Sequence, residues 1–339
     1  MTRNWKTALS IASALGAAVV VGRAVLRSSR YISLKEKVVL ITGGSRGLGL
    51  VLAREFAKRG AKVAICARND EQLERVRKEF ADNGQPLLAM VCDVGVRGEV
   101  ARLVDAVRTQ LGDIDVLVNN AGTILVGPAE NLNIESFEDA MQTHFWGPFY
   151  TSWVVADRMK ERRFGRIVNI ASIGGKVAIP HMLPYSASKF ALVGYSEGLR
   201  TELAKYNIYV TTVCPGLMRT GSPRNADFTG QPEKEYAWFT LSDSLPLLSL
   251  NVRAAARKII DAAIHGDPEV HIGLVAKFGA KLQGLAPGIT AEALTVINRL
   301  LPDPGTGKAI RKGSDSESRA TQNPVTVLTR RAEIANNQI

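Results

Sequence analysis

A tyrosine and a lysine stand four positions apart in the stretch PYSASKF, residues 184–190. Small residues separate the two and Pro184 suits a first helical turn, so the spacing predicts a helix that presents Tyr185 and Lys189 on one face. A lysine cation about 4 Å from a phenol supplies roughly the 4 kcal/mol needed to bring its pKa from about 10 toward neutrality. The pair therefore predicts an acid/base tyrosine whose pKa the lysine lowers.

Regular alternation of strands and helices must position this pair. Short β-branched runs cover 37–42, 61–66, 86–92, 114–119, 165–171 and 208–214, and a further strand is expected over 269–273. Amphipathic stretches of helical length separate these runs. Buried runs separated by helices predict an α/β fold, a doubly wound parallel sheet of the Rossmann type, which binds ligands at the carboxyl ends of its strands.

The first run leads directly into TGGSRGLG, residues 42–49, and a helix follows. Glycines in this position let the backbone approach a pyrophosphate at the helix N-terminus. The second strand ends at Ala67 and Arg68, where an acidic residue would bind the ribose hydroxyl of NAD, and Arg46 lies inside the glycine motif. Two guanidiniums and no carboxylate suit a 2′-phosphate, which predicts NADP(H) as the cofactor.

Five strings in this order resemble the classical short-chain dehydrogenase/reductase family. They are T-G-x-x-x-G-x-G at 42–49, NNAG at 119–122, Ser172 ending IVNIAS, Y-x-x-x-K at 185–189 and PG at 215–216, and the match covers residues 36 to about 265. The resemblance implies that Tyr185 exchanges a proton with the substrate oxygen, that Ser172 hydrogen-bonds that oxygen, and that Lys189 also holds the nicotinamide ribose. It implies cofactor contacts by the following residues: Thr42, Gly43, Ser45, Arg46, Gly47, Leu48, Gly49, Arg68, Asp93, Val94, Asn119, Ala121, Gly122, Tyr185, Lys189, Pro215, Gly216 and Thr220.

Two histidines need separate treatment. His144 stands where the family usually has an asparagine that feeds a proton relay to the lysine, so we include it among the candidate catalytic residues. A neutral histidine has one donor and one acceptor, so it either keeps the relay, adds its own pH dependence, or is a tolerated substitution. His181, between Ser172 and Tyr185, is expected at the pocket mouth or on a plain surface loop.

The chain divides into four predicted parts: an N-terminal apolar segment over 1–32, a Rossmann domain over 33–273, a helical extension over 274–304 and a polar, disordered tail over 305–339. The stretch 215–246 is irregular and predicts a lid or binding loop. Its apolar residues suit a lipophilic substrate, although plain packing is the alternative. These residues are Met218, Phe228, Tyr236, Trp238 and Phe239.

The formal charge of +11 is concentrated at the two ends of the chain, which disfavours a nucleic-acid-binding core. Residues 7–22 carry no charge and have basic flanks. Residues 7–26 are a candidate transmembrane anchor that would leave the main domain in the cytoplasm; a peripheral segment and a cleaved signal are the alternatives. Three widely spaced cysteines, with no CxxC, predict neither disulfides nor a metal site.

We therefore expect an NADP(H)-dependent oxidoreductase that interconverts a carbonyl and an alcohol on a small, lipophilic substrate. A catalytically silent NADP(H)-binding sensor or scaffold is the alternative, although such proteins typically lose the tyrosine or the lysine. A sugar-nucleotide epimerase is disfavoured because its relatives usually space the glycines as GxxGxxG. The family resemblance also implies a homo-oligomer.

Overall fold

The computed structural model describes residues 17–18, 20–245, 249–318, 321 and 326–339. Its main sheet has seven parallel strands in the order β7-β6-β5-β4-β1-β2-β3. The strands are β1 Val38–Thr42, β2 Lys62–Ala67, β3 Leu87–Val91, β4 Val116–Asn119, β5 Gly165–Ile170, β6 Ile208–Pro215 and β7 Glu269–Ile272. The order contains the Rossmann arrangement 3-2-1-4-5-6, so the predicted doubly wound sheet is confirmed.

Helices cover both faces of this sheet. They are α1 Gly47–Ala57, α2 Asp70–Asp82, α3 Arg97–Leu111, α4 Ile134–Met141, α5 Gly147–Arg162, α6 Leu183–Leu203, α7 Pro232–Ser244, α8 Val252–His265, α9 Leu274–Leu285, α10 Pro287–Asn298 and α11 Val327–Ala335. One core lies between the sheet and α1, α2 and α8, and a second lies between the sheet and α3, α5 and α6.

Strand β1 shows why the sequence runs are apolar without alternation. Val39 and Ile41 point into the first core, whereas Val38 and Leu40 point into the second. Successive side chains of a strand face opposite sides, and both sides of this sheet are covered. Every position of β1 is therefore buried.

The segment expected to be irregular contains the helix α7, flanked by the short strands Met218–Arg219, Asp227–Phe228 and Leu250–Asn251. The tail over 305–339 was expected to be disordered, but it contains the short strand Arg311–Lys312 and helix α11. Helix α11 packs on α7, where the Ser244 and Thr329 hydroxyls lie 2.8 Å apart. Both elements are held by contacts that are distant in sequence.

A helical stretch over 20–29 precedes the sheet, and Arg27 pairs with Asp267 at 2.9 Å. The described residues contain no helix that is both long and apolar enough to cross a membrane. Most of the candidate anchor over 7–26, namely residues 7–16 and 19, lies outside the described residues.

Candidate active site

The three residues predicted to carry the chemistry meet at the carboxyl end of β5. Ser172 follows this strand and its hydroxyl accepts a hydrogen bond from the Gly174 N–H at 3.0 Å. Tyr185 and Lys189 lie one turn apart in the first half of α6, and the Lys189 ammonium is 5.7 Å from the centre of the tyrosine ring. The Lys189 Nζ donates to the Ile170 carbonyl at 2.8 Å. Helix spacing and strand topology together build this cluster.

The pKa values at this cluster differ from the sequence expectation. Burial raises the pKa of Tyr185, and a hydrogen bond with Ser172 opposes that rise only in part. Burial also lowers the pKa of Lys189 to about 7, since the ammonium is removed from water. The lysine is therefore a weaker source of positive charge than an exposed one, and the expected fall in the tyrosine pKa is absent.

His144 lies inside a π-helical turn, Gln142–Trp146, between α4 and α5. Its Nε2 accepts a hydrogen bond from the Thr123 N–H at 3.1 Å, and its Nδ1 lies 2.8 Å from the Ser188 hydroxyl. The ring also packs edge-on against Tyr185, with centroids 5.3 Å apart. Burial, followed by the charge of Lys189, holds the pKa of His144 well below its ordinary value. The imidazole ring is thus neutral, and its two hydrogen bonds hold it against the Tyr185 ring.

The glycine turn between β1 and α1 has the shape that the motif predicts. Gly43 has a φ of +66°, and a Cβ there would lie 2.8 Å from the Ala121 Cα. A Cβ on Gly49 would overlap the Gly43 carbonyl oxygen. Glycine is therefore required at both positions for the turn to pack on itself and against the end of β4, and the turn leads into the N-terminus of α1, where a dinucleotide pyrophosphate would be held. The residues present fit that group.

Asn120 is a structural residue that the sequence analysis missed. Its Nδ2 donates to the Thr42 and Gly43 carbonyls at 3.1 and 3.0 Å, and its N–H donates to the Thr42 hydroxyl at 3.0 Å. These bonds fasten the glycine turn to the end of β4. Its position within NNAG, directly after a buried strand, was the available signal.

Asn119, by contrast, uses its side chain inside the protein. It donates to the Asn169 Oδ1 at 2.9 Å and accepts from the Thr151 hydroxyl at 2.7 Å. Its amide therefore joins β4, β5 and α5.

Most other predicted cofactor contacts follow the carboxyl ends of strands. Ser45 and Leu48 lie in the turn and first residues after β1, Asp93 and Val94 follow β3, Ala121 and Gly122 follow β4, Pro215 ends β6, and Gly216 and Thr220 come after it.

The two arginines that suggested NADP(H) are neighbours in space. Burial, followed by the charge of Arg68, lowers the pKa of Arg46. The Arg68 Nη1 lies 3.9 Å from the Asp93 carboxylate. The two guanidiniums are therefore close enough for their charges to repel each other.

An apolar cluster forms the wall beside Tyr185. It contains Phe228, Tyr236, Phe239 and Trp238 from residues 215–246, a segment called the lid below, together with Val126, Met182 and Ile179. Met218 packs against the main-sheet core instead. The lid therefore supplies four of the five predicted apolar residues to one surface.

His181 is held in this wall by a partner that the sequence analysis missed. Its Nδ1 lies 2.9 Å from the carboxylate of the fully buried Glu235, which also accepts the Trp238 indole N–H at 2.6 Å. His181 has a positive φ of 60° and lies in the connection before α6. The histidine thus fixes helix α7 against the loop that leads to Tyr185.

Cys214, Glu269 and His271 bring three potential ligand atoms within 4.8 Å of one another. Glu269 is already paired with His271 at 2.8 Å and with Lys176 at 3.2 Å. Because the Lys176 ammonium already pairs with the Glu269 carboxylate, we interpret these residues as an ion-pair network. All three cysteines are buried and unpaired.

A Rossmann sheet with a glycine turn and a Ser–Tyr–Lys set at its carboxyl edge defines a dinucleotide-dependent oxidoreductase. The family model described as short chain dehydrogenase matches residues 37–228. The chain belongs to the short-chain dehydrogenase family, and it is an oxidoreductase acting on CH–OH and C=O groups. The family binds NAD(P).

Several known proteins are similar to this chain. A 3-ketodihydrosphingosine reductase of Bos taurus is 37% identical over 253 residues, covering 73% of this chain and 74% of that protein. A dehydrogenase/reductase SDR family protein 7-like of Anopheles gambiae is 35% identical over 269 residues, 78% of this chain and 83% of its own. A variant of actinorhodin polyketide ketoreductase crystallised with NADPH has a TM-score of 0.63 and 33% identity, covering 72% of this chain and 97% of that one.

Proposed function

We propose that this protein is an NADP(H)-dependent reductase of a lipophilic ketone or aldehyde. The observation that carries the proposal is the convergence of three features at one end of the sheet. These are the Ser172–Tyr185–Lys189 set, the adjacent guanidiniums of Arg46 and Arg68, and the apolar wall from the lid.

Each residue of the catalytic set has a separate role. NADPH, when bound, supplies the hydride for the carbonyl carbon. Ser172 hydrogen-bonds the carbonyl oxygen as negative charge develops there. Tyr185 donates the proton that this oxygen takes up, which completes the alcohol. Because burial raises its pKa, Tyr185 stays protonated at neutral pH, as a donor in the reductive direction must.

Lys189 acts on the cofactor side of the set. Its buried ammonium lies beside the tyrosine ring, where it can hold the nicotinamide ribose. His144 acts through Tyr185, because it packs on the ring and bonds to Ser188 of the same helix. We assign it a positioning role.

The preference for NADP(H) over NAD(H) is supported by the arginine pair. Asp93, the carboxylate nearest to Arg68, lies at the edge of this pair at 3.9 Å. A strand end that carries an arginine in place of an acidic residue favours a phosphorylated ribose.

The lipophilic substrate is supported by the wall chemistry. Phe228 and Tyr236 are buried side chains of the cluster that also contacts Tyr185. The bovine relative is named as a 3-ketodihydrosphingosine reductase, which agrees with a ketone substrate beside an apolar cluster.

The test follows NADPH oxidation at 340 nm with a panel of carbonyl compounds. The panel contains a 3-ketosphingoid base, 3-ketoacyl thioesters, ketosteroids, retinal, aromatic aldehydes and short diketones. We expect turnover with the long apolar ketones and its loss in Tyr185→Phe, whereas Tyr195→Phe on the same helix keeps it. Turnover that survives in Tyr185→Phe would refute the assigned acid, and NADPH binding without turnover would favour a sensor.

The homo-oligomer and the cytoplasmic location stay predictions. The exposed Trp146 and Trp153, which both contact Phe149, are the surface on which we expect a second copy to pack. Sedimentation velocity tests the first prediction, and cell fractionation tests the second together with the candidate anchor.

A further inference from the structure

The helices α9 and α10 leave a large apolar surface uncovered in the described structure. Phe278 and Leu285 of α9 are 69% and 86% exposed, and Ile289 and Leu300, in and after α10, are 66% and 81% exposed. In α10 only Thr290 is buried. Single exposed apolar residues are ordinary, but a contiguous set of this kind marks an interaction surface.

The charges on α9 and α10, which form a helical hairpin, indicate which kind of partner this surface binds. Residues 274–300 contain Lys277, Lys281 and Arg299 against the single acid Glu292. Both lysines are exposed and lie one turn apart on α9. Two copies of this surface would bring like charges together, whereas anionic lipid headgroups would neutralise them. An apolar helix face with basic residues beside it is the pattern of a helix that lies in a membrane interface.

The surface adjoins the catalytic end of the sheet. The buried Ala276 of α9 packs against Gly216. A Cβ added to Gly216 would lie 3.7 Å from the Ala276 Cβ. A Cβ on Gly279 would lie 3.5 Å from the Ile173 side chain, which directly follows the catalytic Ser172. The inner side of α9 therefore packs beside the carboxyl end of the sheet, next to Ser172.

We propose that the α9–α10 hairpin is a lipid-binding surface that seats the protein on an anionic membrane. A consequence, which rests on the proposed function, is that the lipophilic substrate enters from the lipid phase.

Vesicle flotation of the full-length chain tests this surface. The vesicles are phosphatidylcholine alone or with about one third phosphatidylglycerol. We expect Phe278→Glu combined with Leu285→Glu to weaken binding by about tenfold or more, since two large side chains no longer enter the apolar layer. Lys277→Gln combined with Lys281→Gln should weaken binding to the anionic vesicles only. Ile134→Glu, at a position 72% exposed on α4, is the matched control and should change nothing.

Every variant retains residues 1–32, so any contribution from the N-terminal segment is the same throughout. Unchanged flotation of the double glutamate variant would overturn the proposal. If that variant instead shifts from dimer to monomer in sedimentation velocity while still floating, the surface binds a second copy. Flotation is measured apart from turnover, so failure here leaves the proposed reaction standing.

An independent observation concerns the last residues of the chain. The Gly47 N–H donates to the Asn336 carbonyl at 2.9 Å, and the Asn337 Nδ2 donates to the Ser45 carbonyl at 2.8 Å. The Gln338 Nε2 reaches the Thr220 carbonyl at 3.3 Å. Three residues predicted to bind the dinucleotide are thus in contact with the C-terminus.

The end of the chain is fixed there by further bonds. Arg75 binds the Asn337 Oδ1 at 2.7 Å and the Ile339 carbonyl at 3.0 Å, and Asn225 binds the Gln338 carbonyl at 2.8 Å. The Gly47 N–H cannot serve Asn336 and a pyrophosphate at once. We infer that residues 336–339 are an autoinhibitory segment that competes with NADP(H) for the glycine turn; this inference rests on the proposed function.

Deletion of residues 336–339, which leaves helix α11 intact, tests the competition. We expect the Kd for NADPH, measured by its fluorescence, to fall about fivefold or more, and Asn337→Ala combined with Gln338→Ala to lower it in the same direction. An unchanged or higher Kd after deletion would refute competition. Failure of every form to bind NADPH would refute the proposed cofactor instead.

Discussion

Lys189 is predicted to destabilise the fold that it serves. Its side chain is buried, and burial lowers its pKa from 10.5 to about 7. No carboxylate of the described residues lies within ion-pairing distance of its Nζ; the Ile170 carbonyl accepts its hydrogen bond. A buried lysine of this kind lowers the free energy of unfolding at any pH at which the unfolded chain binds its proton more tightly than the folded chain does.

Replacing Lys189 by Met removes that cost. A fall in pKa from 10.5 to about 7 corresponds to about 4–5 kcal/mol, and loss of the bond to Ile170 returns about 1 kcal/mol. We therefore expect Lys189→Met to raise the free energy of unfolding by about 3 kcal/mol near pH 7, while turnover is lost. Between about pH 7 and 10.5 the unfolded wild type binds more protons than the folded one, so wild-type stability should rise with pH in this window.

Guanidinium unfolding of the dinucleotide-free protein from about pH 7 to pH 9 measures both effects. The wild type should gain stability across this range, and Lys189→Met should lack the contribution of this group to the rise. Lys205→Met, at an exposed lysine shortly after the same helix, should keep the wild-type slope. A Lys189→Met variant that is less stable at neutral pH, or that keeps the full wild-type slope, would refute the reasoning.

Three further predictions concern single side chains. Burial raises the pKa of Asp243 in α7 to about 7, so above that pH the folded protein must bury a charged carboxylate. We therefore expect Asp243→Asn to raise the free energy of unfolding at pH 8 by up to about 4 kcal/mol, and equal free energies of unfolding would contradict this. His144 stays neutral because its pKa lies well below its ordinary value, so His144→Asn should leave the pH profile of kcat/KM unshifted between pH 6 and 9; a displaced profile would show that the ring titrates. Arg68→Asp should lower kcat/KM for NADPH by about tenfold or more relative to NADH, with Arg97→Asp as control, and an unchanged ratio would remove Arg68 from the cofactor site.

Local patterns predicted the parts of the site that depend on local geometry. The strand β1, the glycine turn and the Tyr185–Lys189 spacing each follow from residues close together in sequence. Long-range contacts were not accessible in this way. Glu235 holds His181 across the lid, and α11 packs against α7 through the buried Thr329 while its Leu328 and Ile334 stay exposed.

The pKa of Tyr185 shows the same limit for electrostatics. The sequence predicts a neighbouring cation, which lowers the pKa of a phenol, but it does not show how deeply both groups are buried. Burial acts on Tyr185 and Lys189 in opposite directions, and it exceeds the influence of the pair on each other. The direction of each pKa shift could therefore be determined only from the folded structure.

Transfer of deuterium from NADPH that carries deuterium at both C4 positions of the nicotinamide tests the proposed reaction most directly. With a long-chain 3-keto substrate, we expect mass spectrometry to find the label on the carbinol carbon of the product from the wild-type protein. Tyr185→Phe should bind labelled NADPH and form almost no product. Unlabelled alcohol from the wild type, or labelled alcohol at the wild-type rate from Tyr185→Phe, would contradict hydride transfer assisted by this tyrosine.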